Sequence, residues 1–430
     1  MLEIIKDLSN HKILKTKIEL TDCQKQAVEI LNSKDNVFLT GHAGTGKSFV
    51  INQFQKNLPH PLPVLASTGA AAVLVEGRTF HGYFGLGIME GGLQKTVKKA
   101  IGNNRVRERI KKDRAVIIDE ISMIHPEAFE AANRIAQTVN ESDAPFGGMR
   151  LIVVGDFLQL PPITPNNQAV QWLFEMDVWH QLEFKKAFLT QTMRTLSKSF
   201  IDVLNSIRQG EVSPSVKEFL DSRLSPVGDD FDGTVLFGRR NQAEFFNIKK
   251  LNQIESEEIT YETEVKVASK VNKTVESLLA LSPLPKQLKL KKGALVMLRK
   301  NDPDGKFVNG SLARINKLLD EVVEITLFTG LKISLSKEEF HILDADGIKM
   351  ATITNFPISL AWATTIHKAQ GASIDRVHID LRNLWECGQA YVALSRARTP
   401  ENLFVEGWTP RSIKADPNAV KFYMDLNLAK

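Results

Sequence analysis

Cysteine is nearly absent from this chain of 430 residues, which contains only Cys23 and Cys387, far apart and without metal-ligand spacing. We therefore expect neither a disulfide framework nor a zinc site. No run of about 18 apolar residues is present, so the sequence predicts no membrane span and no membrane partner. Residues 1–20 mix acidic residues with lysines and resemble neither a signal peptide nor a transit peptide. These absences favour a cytoplasmic protein.

Aromatic residues make up only 7% of the chain, and we find neither an internal repeat nor a low-complexity segment. The remaining composition, 43% hydrophobic and 24% charged, is typical of globular proteins. The length predicts two to four domains. A net charge of +5 permits a polyanionic partner without requiring one.

The first half of the chain alternates short apolar runs with helical stretches, which indicates an α/β fold with a parallel sheet. Ligands of such sheets bind at the carboxyl ends of the strands, so the residues that follow each run are the candidates for chemistry. The predicted strands of this half are residues 36–40, 63–66, 115–119 and 151–154. A second α/β unit begins near residue 184 and contains the predicted strands 234–237 and 376–380.

A segment with the period-two pattern of β-strands interrupts the second unit. Apolar residues alternate over residues 322–328, Thr329 and Gly330 form a turn signal, and a second arm follows at 331–335. This pattern predicts a β-hairpin. With the apolar run 293–298, it indicates a small antiparallel barrel over residues 283–351.

A glycine-rich loop follows the first predicted strand and fits the pattern G-x-x-x-x-G-K-[ST]. Its glycines let backbone N–H groups wrap phosphates, Lys47 would reach the β- and γ-phosphates, and the Ser48 hydroxyl would bind magnesium. The alternative is an ordinary glycine-rich turn, which the preceding strand disfavours. The predicted nucleotide loop consists of Gly41, His42, Ala43, Gly44, Thr45, Gly46, Lys47 and Ser48.

Adjacent carboxylates end the apolar run at 115–118. Asp119 would hold Mg²⁺ through its water shell, and Glu120 would orient and deprotonate the attacking water. GTPases would instead show Asp-x-x-Gly after this strand and an Asn-Lys-x-Asp motif, and neither occurs. The sequence therefore favours ATP with Mg²⁺ over GTP.

The run 151–154 also ends in polar residues, Gly155, Asp156 and, further on, Gln159. Gln159 would sense the attacking water beside the γ-phosphate. Alternatively, Asp156 only caps a turn and Gln159 is merely exposed.

These motifs together resemble superfamily-one helicases, and more narrowly the Pif (petite integration frequency) family of 5′-to-3′ DNA helicases in its compact bacterial form. Residues 20–24 are similar to the family's Q motif, and residues 67–72 and 77–82 to its early DNA-contacting motifs. The segments 121–138 and 145–162 resemble its signature stretch and motif III. The most specific matches are LAWATTIHKAQG at 360–371 and YVALSRAR at 391–398.

The resemblance implies two tandem RecA-like domains with an SH3-like barrel inserted in the second. The first would span 21–183, with a basic insertion at about 82–114, and the second 184–282 plus 352–430. ATP would lie between them. Arg194 and Arg396 would contact the γ-phosphate on closure, although Thr195 stands where the family usually has Gln after the first arginine. The implied ATP contacts are Gln24 at the adenine, the loop residues Gly41, Ala43, Gly44, Thr45, Gly46, Lys47 and Ser48, and also Gly371 and Arg396.

Single-stranded DNA would cross the tops of both domains. The implied contacts are Thr68, Gly69, His81, Asn309, Thr365, His367 and Lys368. The two histidines have a structural alternative, as hydrogen-bond donors within the fold. The segment 95–114, with nine basic and two acidic residues, either flanks DNA or forms a solvated helix face.

The implied activity is ATP-dependent 5′-to-3′ translocation on single-stranded DNA. The protein would unwind duplex or structured DNA at single/double-strand junctions in genome maintenance, as a monomer, at the nucleoid if bacterial. Two alternatives remain open: an RNA-directed helicase, and an ATP-dependent switch that binds nucleic acid without translocating. The helicase half of a conjugative relaxase is disfavoured, since the His-cluster nuclease domain is missing.

Overall fold

The computed structural model describes residues 20–428 except positions 88, 90, 163–169, 196, 229, 269–273 and 303. The predicted N-terminal segment 1–20 therefore lies, apart from Leu20, outside the described residues. No helix of the described part is long and apolar enough to cross a bilayer.

A six-stranded parallel sheet organises the first half, in the order β3-β2-β4-β5-β1-β6. Its central strands are buried and apolar, as expected for a sheet covered by helices on both faces. The four predicted strands are all present. The strands are β1 Val37–Gly41, β2 Val64–Ala66, β3 Arg78–Thr79, β4 Ala115–Ile118, β5 Arg150–Val154 and β6 Lys185–Leu189.

Five of the eight helices of this half begin at a side chain that accepts a hydrogen bond from a free backbone N–H group. Thr21 forms a capping box with Gln24, and Thr68 and Thr79 cap two short helices at the carboxyl edge of the sheet. The helices are α1 Asp22–Leu31, α2 Lys47–Lys56, α3 Gly69–Leu74, α4 Phe80–Phe84, α5 Gly92–Ile101, α6 Asn104–Lys112, α7 Pro126–Asn140 and α8 Asp177–Gln181.

The second half holds a four-stranded parallel sheet, β18-β7-β19-β20, which confirms the predicted second α/β unit. Its strands, with those inserted between them, are β7 Thr234–Phe237, β8 Glu258–Glu262, β9 Glu264–Val267, β10 Gln287–Lys291, β11 Leu295–Leu298, β12 Leu312–Leu318, β13 Val322–Leu327, β14 Lys332–Ser336, β15 Glu338–Leu343, β16 Lys349–Asn355, β17 Ile358–Leu360, β18 Ala363–Thr365, β19 Val377–Asp380 and β20 Leu403–Gly407. Its helices are α9 Lys198–Arg208, α10 Pro214–Ser222, α11 Arg240–Asn252, α12 Val275–Leu279, α13 Ile366–Ala369, α14 Gln389–Leu394 and α15 Pro417–Leu428.

The inserted strands are antiparallel, in a five-stranded sheet β14-β13-β12-β11-β17 and a three-stranded sheet β15-β16-β9. The predicted hairpin is present as β13 and β14, with Ile325 opposite Ile333. Gly330 closes its turn at a φ of +86°, which favours glycine. Antiparallel pairing also extends beyond 283–351, because β8 pairs with β10 and β9 with β16.

Two other limits drawn from the sequence are wrong. Strand β6 pairs with β1, so the first sheet continues past residue 183 to Leu189. Helix α15, assigned to the second domain, packs Ala419 and Tyr423 into the core of the first. Both elements join partners more than a hundred residues away, and local periodicity carries no information on such pairings.

Candidate functional site

The nucleotide loop connects β1 to α2 at the carboxyl edge of the first sheet. Gly46 adopts a φ of +84° and directly precedes α2, so the loop turns sharply into the helix. At Gly41 a Cβ would lie 2.3 Å from the carbonyl oxygen of Leu189, which only glycine tolerates. The helix N-terminus and the loop amides form a cradle of the kind that binds phosphate.

Lys47 lies inside this loop. Its Nζ donates hydrogen bonds to the carbonyl oxygens of Gly41 at 2.9 Å and His42 at 3.2 Å. Burial lowers the pKa of Lys47, and the negative charges of Asp156 and Glu120 offset only part of this effect. Ser48 is exposed in the first turn of α2.

Asp119 and Glu120 follow β4 and face the loop. Burial raises the pKa of both, and the charge of Asp119 helps to raise that of Glu120 to about 7. Glu120 adopts a φ of +51°, which is rare outside glycine, and its N–H donates to Asp119 Oδ1 at 3.0 Å. Gln370 Nε2, from the second domain, donates to Glu120 Oε2 at 3.1 Å. A carboxyl with a pKa near neutrality suits a general base.

Asp156 is fully buried and pairs with Arg208 of α9 through two hydrogen bonds of 2.8 and 3.1 Å. Burial alone would raise its pKa, but Arg208 outweighs this effect and lowers it to about 2. Asp156 also accepts from the Leu158 N–H, which is the predicted turn cap. Gln159 is only 6% exposed, so the alternative of an exposed side chain is wrong.

Arg396 is 2% exposed and belongs to the interior of the second domain. It donates to the Val392 carbonyl oxygen at 2.7 Å and to Ser395 Oγ at 2.7 Å. Burial lowers its pKa to about 10, against the opposing charge of Glu120. Arg396 is therefore a buried side chain and not one of the solvated arginines of the surface.

Arg194 lies beside the nucleotide loop: a Cβ placed on Gly44 would be 2.7 Å from the Cβ of Arg194. Its guanidinium donates to Ser373 Oγ at 2.8 Å and to the Ser395 carbonyl oxygen at 2.6 Å. Burial, and then the charge of Arg396, lower the pKa of Arg194. The structure thus brings both predicted arginines to the same cleft as Lys47.

Gln24 is buried against the rim of the loop. Its Nε2 donates to the Thr45 carbonyl oxygen at 3.0 Å, and its Oε1 accepts from the Thr21 N–H at 3.1 Å. Thr45 Oγ1 donates to the His42 carbonyl oxygen at 2.8 Å. Gly371, on the opposite domain, has a φ of +78° and open space around it.

Thr68 and Thr365 occupy equivalent positions in the two sheets. Thr68 comes two residues after β2 and Thr365 is the last residue of β18, and each caps a short helix by accepting from an N–H three residues later at 3.2 Å. Gly69 packs tightly on the insertion, since a Cβ there would lie 2.4 Å from the Leu281 side chain. The carboxyl edges of both sheets therefore present helix N-termini.

The remaining predicted DNA contacts lie near these edges. Burial lowers the pKa of His81 and His367, and also that of Lys368. His367 Nε2 is 3.8 Å from a Glu386 oxygen. Asn309, in the loop between β11 and β12, donates its N–H to Asn301 Oδ1 at 2.8 Å.

Three site residues were missed by the sequence reasoning. Tyr391 Oη accepts from the Ala43 N–H of the nucleotide loop at 2.8 Å, Gln370 holds Glu120, and Arg208 holds Asp156. Tyr391 and Gln370 stood inside recognised motifs, so their position was an available signal. Arg208 ends an amphipathic helix, and nothing local in the sequence marks it.

Comparisons with known proteins identify a helicase family. A family model described as PIF1-like helicase matches residues 19–218, and one described as helicase matches 334–421. The ATP-dependent DNA helicase Pif1 of Bdellovibrio bacteriovorus is 45% identical over 94% of this chain and 92% of its own. Among solved structures, Bacteroides Pif1 in complex with ADP-AlF4 has a TM-score of 0.83 and 28% identity, covering 96% of this chain and 98% of that one.

Bacteroides Pif1 bound to single-stranded DNA superposes with a TM-score of 0.65 at 29% identity, over the same shares of the two chains, 96% and 98%. The match to the Bdellovibrio helicase spans both sheets and the insertion. This chain belongs to the PIF1-like helicase family.

Proposed function

We propose that this chain is an ATP-dependent DNA helicase that moves 5′-to-3′ along single-stranded DNA and unwinds duplex or structured DNA at junctions. Family membership supports ATP-driven DNA unwinding, since the relatives carry that name. We further propose that it acts as a monomer in genome maintenance. The observation that carries the proposal is the hydrogen bond from Gln370 to Glu120, which ties the hydrolytic carboxyl of one domain to a motif of the other.

Hydrolysis would use residues from both faces of the cleft. The cradle amides and Lys47 bind the phosphates, and Glu120 accepts the proton of the attacking water. Arg194 and Arg396 stabilise the charge that develops on the γ-phosphate, an effect worth roughly 10³–10⁵-fold for such arginines. Both arginines are held by carbonyl oxygens and hydroxyls of the second domain, so their position follows that domain.

Magnesium fits the oxygen donors of this cleft. The Ser48 hydroxyl stands at the start of α2 and the Asp119 carboxylate at the end of β4, and Mg²⁺ prefers such ligands together with water. The bound ion would neutralise phosphate charge and orient the γ-phosphate.

Movement along single-stranded DNA would depend on contacts at the carboxyl edges of the two sheets. Thr68 and Thr365, each at a helix N-terminus, would contact successive phosphates, which gives affinity without base preference. When ATP closes the cleft, the two edges approach, and when hydrolysis opens it they separate. Direction depends on which edge grips more tightly in each state.

A polarity assay tests this function. We expect unwinding of a duplex with a 5′ single-stranded tail, dependent on ATP and Mg²⁺, and little unwinding with only a 3′ tail. Arg396→Lys, which keeps the charge but loses the guanidinium geometry, should bind ATP and fail to unwind. Efficient unwinding from a 3′ tail would contradict the direction, and ATPase stimulation by RNA but not DNA would favour the RNA alternative.

A further inference from the structure

Helices α5 and α6, with the two residues that follow them, carry nine basic side chains between positions 95 and 114. Arg109 alone turns inward: it is 6% exposed, donates to the Tyr83 carbonyl oxygen at 2.9 Å and pairs with Asp346 of the β15–β16 turn. The other eight side chains are exposed, and we call them the basic face. They are Lys95, Lys98, Lys99, Arg105, Arg107, Lys111, Lys112 and Arg114.

The two acidic residues of this segment compensate only part of the charge of the basic face. Glu108 is exposed and Asp113 is occupied by the Tyr83 hydroxyl, which donates to its Oδ2 at 3.0 Å. Among the described residues, Arg109 is the only residue of α5 and α6 that forms an ion pair. No residue of the basic face forms an ion pair there. A solvated helix face would normally mix both signs.

Three of these cations converge on one groove. Lys98 from α5 and Arg107 and Lys111 from α6 line a cavity of about 510 Å³ against the end of α7, where Glu141 is the acid. Lys95 lies one turn before Lys98 on α5, and Arg107 and Lys111 stand one turn apart on α6. Four cations, Lys95, Lys98, Arg107 and Lys111, therefore stand in and beside one groove, where they can contact neighbouring phosphates of one backbone.

The residue types of the basic face favour double-stranded over single-stranded DNA as its partner. Residues 92–114 contain no aromatic side chain, and the apolar lining of the groove is Ile101 and Val139. Proteins that bind single strands stack bases on aromatic rings, whereas phosphate contacts alone suit a duplex whose bases are paired. The basic face also ends at the amino end of β4, opposite to the edge that carries Thr68.

We propose that the basic face, centred on Lys98, Arg107 and Lys111, binds the phosphate backbone of the double-stranded arm of a DNA junction. The proposal rests on the proposed function, since it takes the helicase's DNA as its ligand. The two can fail separately, because single-strand binding and ATPase activity use the other edge of the sheet.

The test is a triple charge reversal, Lys98→Glu, Arg107→Glu and Lys111→Glu, with its effect on binding of blunt duplex, single-stranded DNA and a 5′-tailed junction. We expect duplex affinity to fall roughly tenfold or more at low salt. The slope of log affinity against log salt for the junction should become shallower by about 2–3, since each lost phosphate contact contributes about 0.9. Single-strand affinity and single-strand-stimulated ATPase activity should stay within about twofold.

A matched control reverses three exposed helical lysines elsewhere, Lys56→Glu, Lys217→Glu and Lys421→Glu, with the same change of net charge. It should bind duplex as the wild type does, and Arg107→Lys alone should also bind normally, because charge rather than geometry is required. Unchanged duplex affinity in the triple variant overturns the proposal. So does an equal loss with the control, which would indicate net charge alone, or an equal loss on single strands, which would indicate a second single-strand path.

Discussion

At the scale of single residues, Glu120 shows what the sequence can and cannot reveal. Adjacent carboxylates after an apolar run predicted its role from local pattern alone. Its partner Gln370 lies 250 residues away, and no local pattern reports that contact. The same holds for Asp156, whose sequence allowed either a turn cap or a catalytic neighbour, whereas its buried pairing with Arg208 depends on how the two domains meet.

The raised pKa of Glu120 predicts a pH dependence. Burial and Asp119 bring this pKa to about 7, so below that pH the side chain is largely neutral and cannot accept a proton. We expect the ATPase rate to rise with pH through about 7. Glu120→Gln should bind ATP and hydrolyse it at least about 100-fold more slowly.

Steady-state ATPase measurements at saturating ATP, with nucleotide binding followed separately, provide the check. A flat profile across neutral pH would mean that another group limits hydrolysis. Loss of ATP binding in the Gln variant would show instead that Glu120 is needed to shape the loop.

At the scale of helices and strands, the elements with a clear alternation of apolar residues were the ones that the sequence predicted. Strand β13 alternates partly buried and buried residues, and the hairpin that it forms with β14 was predicted from this alternation and from Gly330. Strand β8 has mostly exposed residues and pairs with β10 about 25 residues later, so its pattern gave no signal. Strand β6 carries exposed lysines at the sheet edge, and only its pairing with β1 assigns it to the first domain.

The turn between β15 and β16 offers a test of how the insertion is held. Asp346 of this turn pairs with the buried Arg109, and Arg78 donates to the Ala345 carbonyl oxygen at 3.0 Å. Asp346→Ala should lower the unfolding free energy by about 1–2 kcal/mol, because Arg109 stays buried without its acid while the partial exposure of Asp346 reduces the cost. Hydrogen exchange at residues 344–348 should also speed up.

Glu321→Ala is the matched control, since its pair with Lys337 leaves the Glu321 side chain 78% exposed. Its effect should stay below about 1 kcal/mol. Equal effects of the two substitutions, or unchanged exchange in the turn, would mean that this contact does not hold the insertion on the first domain.

At the scale of the whole molecule, the chain joins its two domains twice. It leaves the first sheet after β6, builds the second, and returns through α15 to the core of the first. Buried polar contacts cross the cleft between them: Asp156 with Arg208, and Ala43 with Tyr391. We therefore expect a change at the nucleotide loop to be transmitted to the second domain through these contacts.

Tyr423 on the returning helix lies where these connections meet, and it carries the last prediction. Its hydroxyl bonds Thr40 Oγ1 at 2.7 Å and accepts from the Phe157 N–H at 3.2 Å, while Arg208 lies 4.4 Å above its ring. Tyr423→Phe keeps the ring but leaves the buried Phe157 N–H without its acceptor. We expect a loss of about 1–3 kcal/mol in unfolding free energy, measured by denaturation.

Because Phe157 begins the turn that carries Gln159, the same substitution should lower kcat for ATP hydrolysis while KM for ATP changes little. The exposed Lys421→Ala on the same helix serves as the control and should stay within about 0.5 kcal/mol of wild type. A Tyr423→Phe protein with wild-type stability and kcat would show that α15 only covers the apolar core. If stability falls but kcat holds, the hydroxyl anchors the helix without positioning the turn, and the coupling between the end of the chain and the nucleotide site is refuted.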